Sequence, residues 1–265
     1  MTHTLFYGCG NMGSAMVAGW LMAGEDPASF TAVRPSGKSV AGIRTLRTPS
    51  EAGFIPDRIV LGFKPQQLRT LAPEVAQWVT SRTTIISILA GADMATLQNY
   101  FPRARAIVRV MPNLPVAVRR GVLPLLASDT TDAALQSELQ PWFSMLGFAP
   151  WCATEEEFGA IGFVSGSTPA YVARFIAAFA AAGEGRGLDP GLALTAAREA
   201  VFGSAWLATS NGEPMADLAR RVTSPNGTTE AGLKVLDAEL PGLIDRTLAA
   251  ATARSAELAA ETRGS

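Results

Sequence analysis

The sequence has little with which to do acid–base or metal chemistry. It contains one histidine, His3, ahead of the first apolar run and away from every candidate site, so histidine acid–base catalysis is excluded. Its two cysteines, Cys9 and Cys152, lie far apart and outside any CxxC or metal-ligand spacing, which excludes a disulfide framework and a zinc centre. Charge is also scarce: 17% of residues are charged, 22 basic against 23 acidic, with no run of one sign, so nucleic acid is not an expected partner. Apolar runs such as Phe175–Ala182 are too short to span a bilayer, and the N-terminus has no charged segment leading into an apolar stretch and cleavage site. No membrane association is expected, and a reducing, cytoplasmic setting fits. What remains is a 265-residue chain that is 48% hydrophobic, a globular composition long enough for two packed domains.

The first part alternates short apolar runs with helical spacing: Thr4–Tyr7, Met12–Ala23, Thr31–Val33, Ile59–Phe63, Leu68–Val79, Thr84–Ile88, Met94–Phe101 and Ala106–Val110. That alternation predicts a parallel sheet with crossover helices, doubly wound in the Rossmann manner. The runs Val122–Ala127 and Ala149–Cys152, around a helical segment Asp132–Leu146, are expected to complete the sheet. The first domain then covers residues 1–153 and binds a dinucleotide. Residues 154–265 are Ala-rich with helical spacing and no strand, broken at Gly183–Pro190, Asn211–Pro214, Ser224–Gly227 and Pro241–Gly242. This half is expected to be all-helical. Its segments Pro169–Ala182 and Pro190–Ser210 are apolar on more than one face, which points to a subunit interface.

Gly8-Cys9-Gly10-Asn11-Met12-Gly13 follows a strand and opens a helix, the setting in which three glycines give a tight turn, close approach to a pyrophosphate and close helix-to-strand packing. A site selective for NAD(H) carries Asp or Glu at the end of the second strand; here Arg34 stands there, followed by Ser36 and Lys38. Two cations and a hydroxyl suit a ribose 2′-phosphate, so NADP(H) is expected in preference to NAD(H), which the fold also accepts. The plainer alternative is that Arg34 and Lys38 are solvated surface charges.

Several further segments resemble those of the pyrroline-5-carboxylate reductase family, in order and along nearly the whole chain. Beside the glycine loop these are Phe63-Lys64-Pro65-Gln66, Ser87-Ile88-Leu89-Ala90-Gly91, Arg109-Val110-Met111-Pro112-Asn113-Leu114-Pro115, Ser165-Gly166-Ser167-Thr168-Pro169-Ala170-Tyr171 and Thr223–Gly232, TSPNGTTEAG. Leu114, Thr168 and Asn226 depart from the family's Thr, Gly and Gly. Asn226 is a mild departure because Asn tolerates a left-handed backbone.

The resemblance implies NAD(P)H-dependent reduction of L-1-pyrroline-5-carboxylate to L-proline, with a helical second domain that forms homodimers and larger rings. It implies a cofactor crevice that includes the strand ends Phe63, Lys64, Pro65, Leu89, Ala90, Met111, Pro112 and Asn113, the last orienting the nicotinamide amide. It also implies that Ser224, Pro225, Asn226, Gly227, Thr228 and Thr229 hold the substrate: the hydroxyl of Thr228, or of Thr229, at the ring nitrogen, and turn amides at the carboxylate. A helix N-terminus binds anions without Arg or Lys, although helix capping alone also explains Ser and Thr there. A protonated imine is already electrophilic, which agrees with the scarcity of histidine. A hydroxy-acid dehydrogenase would need a lysine that Tyr171–Arg174 lacks. The remaining alternatives are a reductase of another cyclic imine and a silent NADP(H)-binding protein.

Overall fold

The computed structural model describes residues 2–210 and 212–263. Contacts divide the chain into two compact units, Met1–Ser167 together with Ala253–Ser265, and Thr168–Thr252. The expected division at residue 153 falls ahead of this one, because the helix α5 (Glu155–Ser165) packs on a strand of the first unit.

In the first unit the strands are β1 (Thr4–Tyr7), β2 (Phe30–Val33), β3 (Arg44–Leu46), β4 (Arg58–Leu61), β5 (Thr84–Ser87), β6 (Ala106–Val110), β7 (Gly121–Val122), β8 (Leu125–Ala127) and β9 (Gly147–Phe148). Seven form one sheet in the order β3-β2-β1-β4-β5-β6-β8, parallel except for the last pair. The helices α1 (Asn11–Met22), α2 (Leu68–Ala76), α3 (Met94–Tyr100) and α4 (Ala133–Ser144) cross over it.

Alternation along each buried strand explains the two layers. Phe6, Val60, Ile86 and Val108 meet α1 and α4 on one face. Leu5, Tyr7, Ile59, Leu61, Ile85 and Ile107 meet α2 and α3 on the other. The first face is closed by a stack of Trp20 on Trp142, ring centroids 4.0 Å apart, with the Trp20 indole donating to the Trp142 carbonyl at 2.8 Å. Arg58 lies over Trp142 at 4.4 Å and pairs with Glu138 at 2.8 Å, so this largely buried cation has both a π face and a carboxylate.

Three expectations need correction. The run Val122–Ala127 is two strands, because Pro124 lacks the N–H that a continuous ladder requires. β8 then returns antiparallel to β6, and β7 pairs instead with β9 in a separate two-stranded ladder. Ala149–Cys152 contributes only an isolated bridge, Leu125 to Trp151. Pro241–Gly242 is not a break: α9 runs Thr228–Arg263 straight through Pro241. One missing amide bond costs a few kcal/mol, which the Ala- and Leu-rich turns on either side withstand.

The second unit is helical. α6 (Thr168–Glu184) and α7 (Pro190–Ser210) form a hairpin closed through Gly187, whose φ is +89°, with Ala180, Ala193 and Ala197 buried at their contact. α8 (Met215–Arg221) and the start of α9 follow. Large apolar side chains remain on the surface of this chain, among them Phe179, Phe202, Val235 and Leu243, each more than half exposed. No helix among the described residues is long and apolar enough to cross a membrane.

Gly19 of α1 faces the carbonyl of Val116, and a Cβ there would strike that backbone oxygen. Gly19→Ala is therefore expected to lower stability by about 1–3 kcal/mol, read as a fall in the denaturation midpoint. An unchanged midpoint would show that α1 does not need this close approach.

Candidate functional site

The parallel registers Tyr7↔Val33 and Tyr7↔Leu61 bring the carboxyl ends of β1, β2 and β4 level. The chain reverses direction of winding between β1 and β4, so the crevice beyond them is the switch point where α/β sheets bind ligands. Gly8 and Gly62 meet there: Gly8 has φ +75° and a Cβ on it would lie 2.8 Å from the amide nitrogen of Phe63, while a Cβ on Gly62 would strike the Gly8 carbonyl. A cleft of about 700 Å³ opens above them.

The cleft fits a dinucleotide on its own geometry. Gly10 caps α1 without a side-chain cap bond, nothing lies within 4 Å of where its Cβ would be, and no side-chain bond to the first-turn amides of the helix is formed among the described residues. Open amides at a helix N-terminus are the backbone arrangement that takes a pyrophosphate. Gly13 allows α1 to close on the strand, its Cβ position 3.0 Å from Cys9 Sγ.

Of the residues expected to meet the cofactor, Gly8, Gly10, Asn11, Met12, Gly13, Arg34, Ser36, Phe63, Lys64 and Pro65 line this cleft. Lys38, Leu89, Ala90, Met111, Pro112 and Asn113 do not. Leu89 is buried in the core beside α2. Along β6 and its exit, alternate residues knit the strand to α5: Arg109 pairs with Glu155 and covers the Phe158 ring at 4.7 Å, and Met111 fills the space left by Gly162. Asn113, also buried, donates from Nδ2 to the Ser165 carbonyl at 3.0 Å and accepts from the Val122 amide at 2.8 Å. Its amide is thus engaged in joining β7 to the end of α5, a use invisible in a motif read as a strand end.

The cleft also contains residues that the glycine pattern does not signal, notably Tyr7, Arg47, Leu71 and Glu74. Burial pushes the Tyr7 phenol up, and the neighbouring Glu74 carboxylate adds to the rise. Burial likewise raises the Cys9 thiol, against opposing contributions from Ser14 and Arg34. Both groups stay protonated at neutral pH, so neither serves as a base. Among the described residues no cluster of His, Cys, Asp and Glu is able to hold a metal ion.

The second set of expected residues belongs to the helical unit. Asn226 has φ +57°, the left-handed conformation expected of it, and the Gly227 amide closes the turn on the Ser224 carbonyl at 3.0 Å. A Cβ at 227 would meet Ser224 Oγ and lie 3.0 Å from the Ser224 carbonyl oxygen, so the Ser224 hydroxyl would have to turn aside. α9 begins at Thr228, and Glu230 reaches back to accept from the Asn226 amide at 2.6 Å while pairing with Lys234 at 3.1 Å. One turn amide is thus already satisfied within the chain. Thr228 and Thr229 are exposed at the helix start, and no hydrogen bond from either hydroxyl is formed among the described residues.

The family described as pyrroline-5-carboxylate reductase dimerisation matches residues 155–258, and the family described as NADP oxidoreductase coenzyme F420-dependent matches residues 4–91. Pyrroline-5-carboxylate reductase of Pseudomonas aeruginosa is 35% identical over 261 residues, 96% of each chain. The solved pyrroline-5-carboxylate reductase of Coxiella burnetii superposes with a TM-score of 0.87 at 30% identity, over 97% of this chain and 98% of that one. The Plasmodium falciparum enzyme, solved with NADP bound, has the same fold, with a TM-score of 0.83 at 24% identity over 98% of each chain. The chain belongs to the pyrroline-5-carboxylate reductase family.

Proposed function

We propose that this protein reduces L-1-pyrroline-5-carboxylate to L-proline, using NADPH in preference to NADH. The observation that carries the reading is the start of α9, where Thr228 and Thr229 present hydroxyls that form no hydrogen bond among the described residues, beside a turn held by left-handed Asn226. When bound, a reduced nicotinamide supplies the hydride. A protonated imine would accept that hydride at carbon, its C=N π electrons passing to a nitrogen that already carries the proton. The protein then has only to bind, orient and exclude water. This is consistent with a cleft whose phenol and thiol are both held protonated.

In this reading the Thr228 hydroxyl holds the ring nitrogen and the first amides of α9 hold the carboxylate, with Thr229 as the neighbouring hydroxyl and Ser224–Gly227 shaping the turn. Residues 1–153 in this reading serve the cofactor and residues 154–265 serve substrate and assembly, in the cytoplasm. Preference for the 2′-phosphate rests on Arg34, which lines the cleft at the end of β2, where an NAD-selective site has a carboxylate. The exposed apolar side chains of the helical unit support a homodimer, on which a larger ring is built. A surface carrying Phe179 at 53% and Phe202 at 64% exposure is more apolar than a lone soluble chain ordinarily tolerates.

With pyrroline-5-carboxylate, NADPH absorbance is expected to fall rapidly, and Thr228→Ala to lower kcat/KM by about 10- to 100-fold, the worth of one hydrogen bond to a charged group. Turnover only with a different cyclic imine would transfer the assignment to that substrate, and NADPH binding without any turnover would leave a silent binding protein. Side by side, kcat/KM is expected to be higher with NADPH than with NADH, and Arg34→Ala to shrink that ratio by about tenfold or more. Equal rates in the unmodified protein contradict the phosphate preference. Light scattering is expected to give at least two chains of 27.8 kDa, and Phe179→Glu with Phe202→Glu to give one. A monomer before substitution contradicts the shared interface.

A further inference from the structure

We infer that Arg47, at the end of β3, is the second cation of the cofactor's 2′-phosphate site, opposite Arg34. The inference rests on the NADP(H) reading above and adds to it a residue that no glycine-loop pattern includes.

The sheet register makes the pairing. β2 and β3 are parallel with Val33 opposite Leu46, so Arg34 and Arg47 are the next residues out along adjacent strands. The Arg34 amide donates to the Leu46 carbonyl at 2.8 Å, which fixes the two strand ends to each other just where the side chains leave. Both arginines line the cleft, as does Ser36.

The loop between them is shaped to admit the Arg47 guanidinium. Gly37 has φ +66° and closes a turn onto the Arg34 carbonyl at 2.8 Å. A Cβ at Gly37 would lie 3.0 Å from both Cζ and Nη2 of Arg47, so the guanidinium rests against the bare backbone of that glycine. Lys38, the other cation of the segment, does not line the cleft, and its amide is bonded to Ser36 Oγ at 3.3 Å.

The nearest acid in sequence, Glu51, is occupied in capping, accepting from the Thr48 amide at 2.9 Å and the Thr48 hydroxyl at 2.8 Å. The Glu51 carboxyl is held low mainly by these hydrogen bonds from Thr48, with a smaller contribution from the Arg47 charge, so Arg47 is only weakly engaged. Neither Arg47 nor Arg34 forms an ion pair among the described residues. Two guanidiniums that line one cleft repel each other. A phosphate dianion relieves that repulsion and accepts the planar pair of N–H donors that each guanidinium offers.

The test is equilibrium binding of NADP⁺ and NAD⁺ by calorimetry to the unmodified protein and to Arg47→Ala, Arg47→Gln and Lys38→Ala. Arg47→Ala and Arg47→Gln are expected to weaken NADP⁺ by about tenfold or more while moving NAD⁺ less than twofold. A weaker dependence of NADP⁺ affinity on salt is expected in both variants. Equal affinities for the two nucleotides in the unmodified protein would remove the NADP(H) reading itself. NADP⁺ preference that survives both Arg47 variants, or is lost instead in Lys38→Ala, would overturn the role of Arg47 and leave the NADP(H) reading standing. Equal weakening of both nucleotides in Arg47→Gln, which keeps the stem against Gly37, would make Arg47 a prop of the loop and would equally overturn it.

Discussion

The close approach of two backbones, at Gly8 and Gly62, is the constraint on which the rest of the first unit depends. β1 and β4 are neighbours in the sheet, but the helices that follow them leave in opposite directions, so a crevice opens between their ends. It stays open to a ligand only because neither strand end carries a side chain there; a Cβ on either glycine meets main-chain atoms of the other loop. Main chain cannot rotate aside as a side chain can, so the requirement is strict. With that gap fixed, Gly10 leaves the first amides of α1 uncovered, and the ends of β2 and β3 present Arg34 and Arg47 to the same space.

Reducing a protonated imine needs no strong general acid, so the protein's task is to bind and orient two ligands. In the proposed reading the start of α9, in the helical unit, holds the substrate. There Glu230 bonds the Asn226 amide and stiffens the turn, and the two threonine hydroxyls form no hydrogen bond among the described residues. Stiffening matters because a turn ordered in advance does not lose that freedom again on binding.

Much of this was legible in the sequence wherever a residue type has a local, one-dimensional reason. Three glycines after an apolar strand, a proline-led turn and Asn in a left-handed position are of that kind, as is the alternation of runs that defines a doubly wound sheet. The misses are equally specific. β3 is three residues long with Arg44 and Thr45 at least partly exposed, so it has no apolar run to betray it, and Arg47 was missed with it. Asn113 reads as a strand-end ligand but is buried, its amide joining Val122 to Ser165, partners distant in sequence. The continuation of α9 through Pro241 shows the opposite error: a strong local breaker outweighed by the helix propensity on both sides. Locally dictated features are visible in sequence, and those set by pairing across the fold are not.

The most direct test of the central chemical claim is isotopic. Given NADPH deuterated at the transferring position of nicotinamide C4, and pyrroline-5-carboxylate, the proline formed is expected to carry one deuterium at the δ carbon, the former imine carbon, by mass spectrometry. Unlabelled proline, or loss of the label to water, would contradict direct hydride transfer to the imine.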